Sequence, residues 1–425
     1  MADFERLRAD WLSFDEALAR ILADASPMPE TDLAPLLALG RSLARPVSAR
    51  ATLPAWPNSA MDGYAVRSGE LAGRDPGSEV RLPVAGRSYP GSVPLEDIAP
   101  GAAVRVMTGG PLPLGFDSVI RVEHTDAEDA PGFVVLRRLD DVGKHVRSAG
   151  KDMRAGDETV AAGAVVHSGT LPVISASGSE RVFVYRRPRV GVMSSGDELV
   201  GSDRFERVIA GRGIPDSNRD MIAAGVVEAG GVPVDLGIAP DDPAGLESRL
   251  ASLAGIDLLV TTGGASMGEK DLLKRILLRF PFRLDFWRAR VRPGSPLSFG
   301  HLRTGEGQEL PVFGLPGNPA SAFVTFHVLV APYLRARLGA ARPAGVAVTA
   351  RTDDELRSAR KLTQFFRVRL REDESGWTRC ALTGPQGSGL VRSLPGADGL
   401  AVVPEGRADI RRNDPVSVIL LQGRR

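Results

Sequence analysis

Cysteine is almost missing from this chain. The single residue, Cys380, excludes an intrachain disulfide and leaves no thiolate set for a zinc site. Histidine is also scarce. His124, His145, His167, His301 and His327 are scattered without ligand spacing and read as structural. A metal site here must therefore lean on carboxylates, which favours a hard ion such as magnesium. Long apolar runs are lacking too: no segment approaches the roughly 18 residues of a membrane span. The first residues, Met1 to Phe14, are charged and have no apolar centre, so they do not read as a signal peptide. Nor is there an excess of charge. A formal net charge of +1 offers no nucleic-acid or membrane surface, although a neutral total can hide local anion sites. Together these absences predict a cytoplasmic protein with no nucleic-acid and no membrane partner.

What is present is length and pattern. At 425 residues the chain exceeds one ordinary core, so about two to four domains are expected. Ser13 and Glu16 have capping-box spacing before the helical face of Phe14, Ala17, Leu18, Ile21 and Leu22. A second helix is predicted over Leu33 to Leu43. From Arg50 to about Gly150, short alternating stretches such as Val80–Val84 and Ala103–Met107 are divided by Gly and Pro, which reads as a β-rich domain. From Pro188 the pattern changes. Apolar strands (Val190–Met193, Val232–Ile238, Asp257–Thr262, Leu310–Leu315) alternate with helices (Asp216 to Ala229, Pro243–Leu253, Glu269–Phe280, Ala320–Leu338). That spacing predicts a three-layer α/β domain with a parallel sheet. After the Ala-, Gly- and Pro-rich loop 339–345, segments such as Gln364–Leu370 and Val416–Leu421 read as a small β-barrel or sandwich.

The polar, Gly-rich segments of the α/β region all follow strands: residues 194–198, 239–242, 261–268 and 314–319. Ligands bind at the carboxyl ends of parallel strands, so these loops predict one shared pocket. Gly263, Gly264 and Gly268, with Ser266 between them, could bring backbone N–H groups and a helix N-terminus to a phosphate; a tight strand-to-helix turn explains them equally well. Gly268 is followed by Glu269-Lys270-Asp271, so neither a P-loop nor a dinucleotide fingerprint is written here. Glu198, Asp241, Asp242 and Asp271 lie on these loops or the turns after them. Glu198 and Asp271 suit magnesium held partly by substrate oxygens, whereas Asp242 reads as a helix cap. Arg288, Arg290 and Arg292 alternate, so in a strand they would share a face suited to an oxyanion; a solvated strand face is the plainer reading. In the β-rich region, Asp62-Gly63 is a turn signal and Thr108-Gly109-Gly110-Pro111 ends a strand.

Six ordered motifs carry a resemblance across nearly the whole chain. They are Ser59-Ala60-Met61-Asp62-Gly63-Tyr64-Ala65, Met107-Thr108-Gly109, Ser195-Gly196-Asp197-Glu198-Leu199, Asp216-Ser217-Asn218, Thr262-Gly263-Gly264 with Gly268, and Gly314-Leu315-Pro316-Gly317-Asn318-Pro319. The chain thus resembles the molybdopterin molybdenumtransferase family of the MoeA type, and is similar to the E domain of gephyrin. That resemblance implies an elongated homodimer with a discontinuous linking domain (1–46 and 150–185), a β-rich inserted domain (47–149), an α/β molybdopterin-binding-like domain (186–338) and a C-terminal β-barrel (339–425). It implies a magnesium-dependent reaction in which adenylylated molybdopterin and molybdate give molybdenum cofactor and AMP. The preceding adenylyltransferase and apo-molybdoenzymes are the implied partners.

Residue by residue, the resemblance assigns catalytic roles to Asp62, Thr108, Asp152, Glu198, Asp241 and Asp271, with the last three as the metal carboxylates. It assigns substrate contacts to Ser195, Gly263, Gly264, Ser266, Gly268, Arg288, Arg292, Ser295, Pro316, Pro319, Ser321, Arg367 and Ser388. Three departures from the family pattern stand out. Arg288 and Arg292 stand where many members carry Lys, Ser295 replaces the Lys of a Pro-Gly-Lys-Pro segment, and Trp56-Pro57 replaces a common Phe-Asp pair. The rival readings are a tungstate-inserting paralogue, a non-catalytic dimeric scaffold of the same fold, and a generic nucleotide-dependent enzyme. The scaffold would show loss of the cleft carboxylates, which are retained. The generic enzyme would leave the Ser-Ala-Met-Asp segment unexplained.

Overall fold

The computed structural model describes residues 11–239, 243–251, 253–263, 280–303, 307 and 309–421. One six-stranded sheet runs in the order Val232–Ile238, Arg189–Ser194, Leu258–Thr262, Glu309–Leu315, Ser298–Arg303, Phe282–Trp287. The first four are parallel, as their apolar runs predict. The last two extend the sheet antiparallel. Strand Leu258–Thr262 is buried along its whole length. Leu258 and Val260 enter one core and Leu259 the other, as alternation of side chains across a sheet requires. Fully burying each such aliphatic side chain contributes roughly 1.5–3 kcal/mol.

One core lies under helices Ser217–Glu228 and Pro319–Arg337, and the other under helix Pro243–Ala251. The long helix widens to a π turn over Phe326–Val330, just before Pro332, whose missing N–H cannot complete an ordinary turn. The N-terminal helix Phe14–Asp24 carries both halves of the predicted capping box. It packs into the same core, with Phe14 edge-on to Phe365 at 5.0 Å between ring centres.

Five strands close into a barrel: 363–372, 378–382, 347–352, 415–420 and 399–403, with the first pairing back to the last. Strand Val291–Arg292 joins its edge. Cys380 lies inside, where burial pushes the thiol up to about 11.

The region before the α/β domain holds a five-stranded sheet in the order 118–121, 63–66, 103–106, 80–88, 133–136. Gly63 is not the turn of a hairpin. It opens strand Gly63–Val66, and a Cβ there would lie 2.0 Å from the Ile120 carbonyl oxygen, so only glycine permits the approach. Strand Glu30–Leu33 pairs with Val182–Tyr185, so residues distant in sequence share one small core around Leu43, Val166 and Ile174. The helix predicted over Leu33 to Leu43 is absent. A strand ends at Leu33, a short 3-10 turn covers Pro35–Ala38, and Leu36 and Leu37 point to solvent, because pairing across the sheet outweighs helical spacing.

Candidate functional site

The carboxyl ends of three parallel strands meet at one cleft of about 270 Å³, lined by Ser195, Glu198, Asn218, Thr262, Gly263, Gly317 and Pro319, among others. The Ser195 N–H donates to the Thr262 carbonyl at 2.9 Å. Thr262 Oγ1 lies 3.3 Å from the Pro316 carbonyl, and Asn218 Nδ2 donates to Thr262 Oγ1 at 3.0 Å and to the Gly317 carbonyl at 2.8 Å. Asn218 thus locks two of the predicted loops together. Its Oδ1 is buried without a protein partner.

Gly263 is the tightest point. Its φ is +85°, and a Cβ would sit 2.2 Å from the Ser195 carbonyl oxygen. The Glu198 side chain is exposed at the rim and folds back over Gly196, where a Cβ would lie 2.6 Å from its Oε1. Asp216 does not cap its helix through the side chain. It accepts from Ser194 Oγ at 2.7 Å and from Arg219 Nε at 2.9 Å, so both oxygens are engaged.

Asn318 also lines a second, larger pocket of about 750 Å³ between the α/β domain and the barrel. Arg292, Ser295, Ser321, Gln364 and Ser388 form its walls. The Ala320 N–H donates to the Ser388 carbonyl at 2.9 Å, which ties the barrel loop to the start of the helix opened by Pro319. Ser295 Oγ donates to the Val291 carbonyl at 2.6 Å.

Arg367 lies beneath this pocket, not in its wall. It is fully buried, with Nε donating to Ser393 Oγ at 3.0 Å and Nη2 reaching the Pro385 and Gly387 carbonyls at 3.3 and 3.4 Å. Its Nη1 has no partner, and burial lowers its pKa. The guanidinium therefore supports the loop that carries Ser388.

The three alternating arginines do not share a face. Arg288 has φ +95°, which breaks the alternation, and its guanidinium lies over the Trp11 ring at 5.2 Å. Arg290 pairs with Glu405 at 2.9 Å. Only Arg292 reaches the pocket.

In the inserted sheet, Asp62 Oδ1 accepts from both the backbone N–H and the hydroxyl of Thr108, at 2.7 and 2.8 Å. These bonds hold the carboxyl below its ordinary pKa. The loop is braced from behind. The Ala60 N–H donates to the His145 carbonyl at 2.8 Å, and the Val122 N–H to the Asp62 carbonyl at 3.1 Å. Asp152 is exposed, and its N–H donates to the Leu53 carbonyl at 3.1 Å.

Asp241, Asp242, Gly264, Ser266, Gly268 and Asp271 lie outside the described residues. Among the described residues no group of three metal-ligating side chains occurs. Of the described lining, the Glu198 carboxylate and the Ser195 hydroxyl are hard oxygen donors of the kind that would suit magnesium, whereas the Thr262 hydroxyl is already engaged by Asn218 and Pro316.

The family description "MoeA N-terminal region (domain I and II)" matches residues 12–178, "Probable molybdopterin binding domain" residues 191–336, and "MoeA C-terminal region (domain IV)" residues 349–421. The chain belongs to the molybdopterin molybdenumtransferase family. It is 33% identical to the molybdopterin molybdenumtransferase of Nostoc sp. over 90% of this chain and 86% of that protein. It is 31% identical to that of Haemophilus influenzae over 96% and 98% of the two chains. A crystal structure of a molybdopterin biosynthesis moeA protein from Pyrococcus horikoshii superposes with a TM-score of 0.80 at 25% identity, covering 97% of this chain and 100% of that one. Against that family background, the residues that sequence reasoning missed are Asn218, Asn318, Gln364 and Gln386. The first two sat inside quoted motifs. Gln364 and Gln386 come from the barrel and left no local signal.

Proposed function

We propose that the chain inserts molybdate into adenylylated molybdopterin with release of AMP, giving molybdenum cofactor. One observation carries this reading: two pockets share Asn318, one at the strand ends and one beside Arg292, Ser295, Ser321 and Ser388. The first suits the phosphate-bearing pterin, with Ser195, Gly263 and Asn218 positioning it. The second suits a tetrahedral oxyanion, which hydroxyls and a guanidinium can hold by charge-assisted hydrogen bonds. Binding both side by side turns a bimolecular encounter into an oriented reaction.

Magnesium, when bound, would be held by Glu198 with Asp241 and Asp271, and would neutralise phosphate charge. We further propose a cytoplasmic homodimer in which Asp62, Thr108 and Asp152 of one subunit complete the cleft of the other. The domain limits implied by the resemblance, the handover from an adenylyltransferase and delivery to apo-molybdoenzymes belong to the same reading.

The decisive experiment incubates the protein with adenylylated molybdopterin, magnesium and either molybdate or tungstate, and follows AMP and pterin-bound metal. AMP release with metal retained supports the reading; a dead reaction with both oxyanions sinks it. Sharing of the cleft is tested by mixed dimers, Asp62→Asn in one subunit and Glu198→Gln in the other. They should regain about half the sites, as one intact pocket per isologous pair requires.

A further inference from the structure

A third cavity, of about 420 Å³, opens between the strand pair around Tyr185 and the carboxyl end of helix Ala331–Arg337. It shares no lining residue with the two pockets described above. Its walls carry four guanidiniums, from Arg41, Arg187, Arg335 and Arg342, against one carboxylate, Glu228. Arg187 and Arg342 are exposed at the mouth, whereas Arg41 and Arg335 are half-buried.

The inner pair is incompletely satisfied. Arg41 Nη2 donates to the Tyr185 carbonyl and Arg335 Nη1 to the Pro343 carbonyl at 3.3 Å. Both Nε nitrogens are nevertheless buried without any partner. Leaving a charged donor buried and unpaired is costly. Both Nε atoms lie behind the cavity surface, so an anion in the cavity would offset the charge of Arg41 and Arg335 and meet the exposed guanidiniums of Arg187 and Arg342. The cost is visible in the acidity of the inner pair. Burial lowers the pKa of Arg41, and the nearby Arg187 charge lowers it further; burial also lowers that of Arg335, against the opposing pull of Glu228.

The walls are closely built. A Cβ at Gly339 would lie 2.2 Å from the Tyr185 ring, so glycine lets the helix end and the strand meet at the cavity. Between the arginines the lining is apolar, with Val165, Leu338 and alanines.

We propose that this cavity is a binding site for a small phosphomonoester, separate from the cleft that carries out metal insertion. The phosphate would accept from the paired guanidinium forks, whose planar geometry matches its oxygens. The organic body would lie on the apolar wall beside Tyr185. Glu228 offsets one of the four charges and disfavours bulkier polyanions. This inference does not rest on the reaction proposed above.

The test is calorimetric titration of the full chain with inorganic phosphate and with phenyl phosphate. Both probes should bind, phenyl phosphate more tightly because only it uses the apolar wall. In the double variant Arg187→Gln/Arg342→Gln, which alters only exposed side chains, both affinities should fall at least about tenfold while AMP release is unchanged. Ser388→Ala, in the barrel-side pocket, should leave binding of phenyl phosphate intact. Absence of binding, or binding unchanged in the double variant, overturns the proposal. So does loss of a dimer in that variant without any probe binding, which would assign the cavity to an acidic side chain of a second copy of the chain.

Discussion

Asp62 Oδ1 is gripped twice by one residue, Thr108, through its backbone N–H at 2.7 Å and its hydroxyl at 2.8 Å. The backbone bond does most to depress the Asp62 pKa, and the hydroxyl adds to it. Thr108→Val keeps the first bond and removes the second. The Asp62 pKa should then rise towards the ordinary carboxylate value without unfolding the domain. Carboxyl-resolved NMR titration of the two proteins reads this directly, and coincident curves would show that the hydroxyl is irrelevant to the charge.

Gly263 offers a sharper test of the cleft. Two penalties coincide there: a φ of +85° and a Cβ position 2.2 Å from the Ser195 carbonyl oxygen. The strain alone costs about 1–3 kcal/mol in a non-glycine residue. Gly73 has nearly the same φ, +78°, but open space around its Cβ. Gly263→Ala should therefore lower the Tm more than Gly73→Ala and abolish most AMP release, whereas Gly73→Ala should leave turnover near normal. Equal effects on both readouts would remove the claim that the 195 and 263 loops must touch.

Much of this arrangement was legible in sequence for a physical reason. Parallel strands buried on both faces leave short, uniformly apolar runs, and Gly-rich polar loops must follow them, so the pocket at residues 195, 262–263 and 316–319 could be placed. The antiparallel edge could not. Strand Ser298–Arg303 contains Gly and His, and Gly300 is needed only because the Phe282 ring and the Arg283 carbonyl press against it from the neighbouring strand. The arginine trio misled because alternation presumes an unbroken strand, and Arg288 turns the backbone out of one. The burial of Arg367 depends on a loop 18 to 20 residues further on, a contact that no local pattern announces.

Behind the Asp62 loop, Asp141 accepts from Arg121 Nε at 3.0 Å and lies 3.0 Å from His145 Nε2, with its side chain only 3% exposed. Burial by itself would raise its pKa. The bonds from Arg121 and His145 outweigh that and hold it well below the usual carboxylate range. A depressed folded value means that the stabilisation is complete above the unfolded carboxyl value of about pH 4 and is lost as the pH falls through the folded value. Asp141→Asn should cost roughly 1.5–3 kcal/mol at neutral pH, the range for hydrogen bonds to a charged group. The gap between wild type and variant should begin to narrow below about pH 4 and close only as the pH falls through the much lower folded value. Urea unfolding at pH 7 and pH 3 measures both, and a gap that is no smaller at pH 3 than at pH 7 would mean the carboxylate charge is not what stabilises the loop.

Ser295 is the departure with the most direct chemical consequence. It lines the barrel-side pocket with Arg292, Ser321 and Ser388, and its hydroxyl is spent on the Val291 carbonyl at 2.6 Å. It therefore offers a bound oxyanion its lone pairs' side and no free proton. Arg367 cannot compensate, because it lies fully buried beneath the 385–388 loop. Arg292 is left as the only cation in this wall among the described residues. A Lys at 295 would add a charge-assisted hydrogen bond worth roughly 1.5–3 kcal/mol if well placed. Ser295→Lys should then lower the molybdate concentration for half-maximal AMP release, by about tenfold for each 1.4 kcal/mol gained. Salt should also weaken molybdate binding more steeply in the variant, because a second exposed cation is screened. Titrating molybdate against both proteins at two ionic strengths separates this from the competing view that Arg292 already completes the site. In that case the added Lys would crowd Arg292, and the half-saturating concentration would stay level or rise.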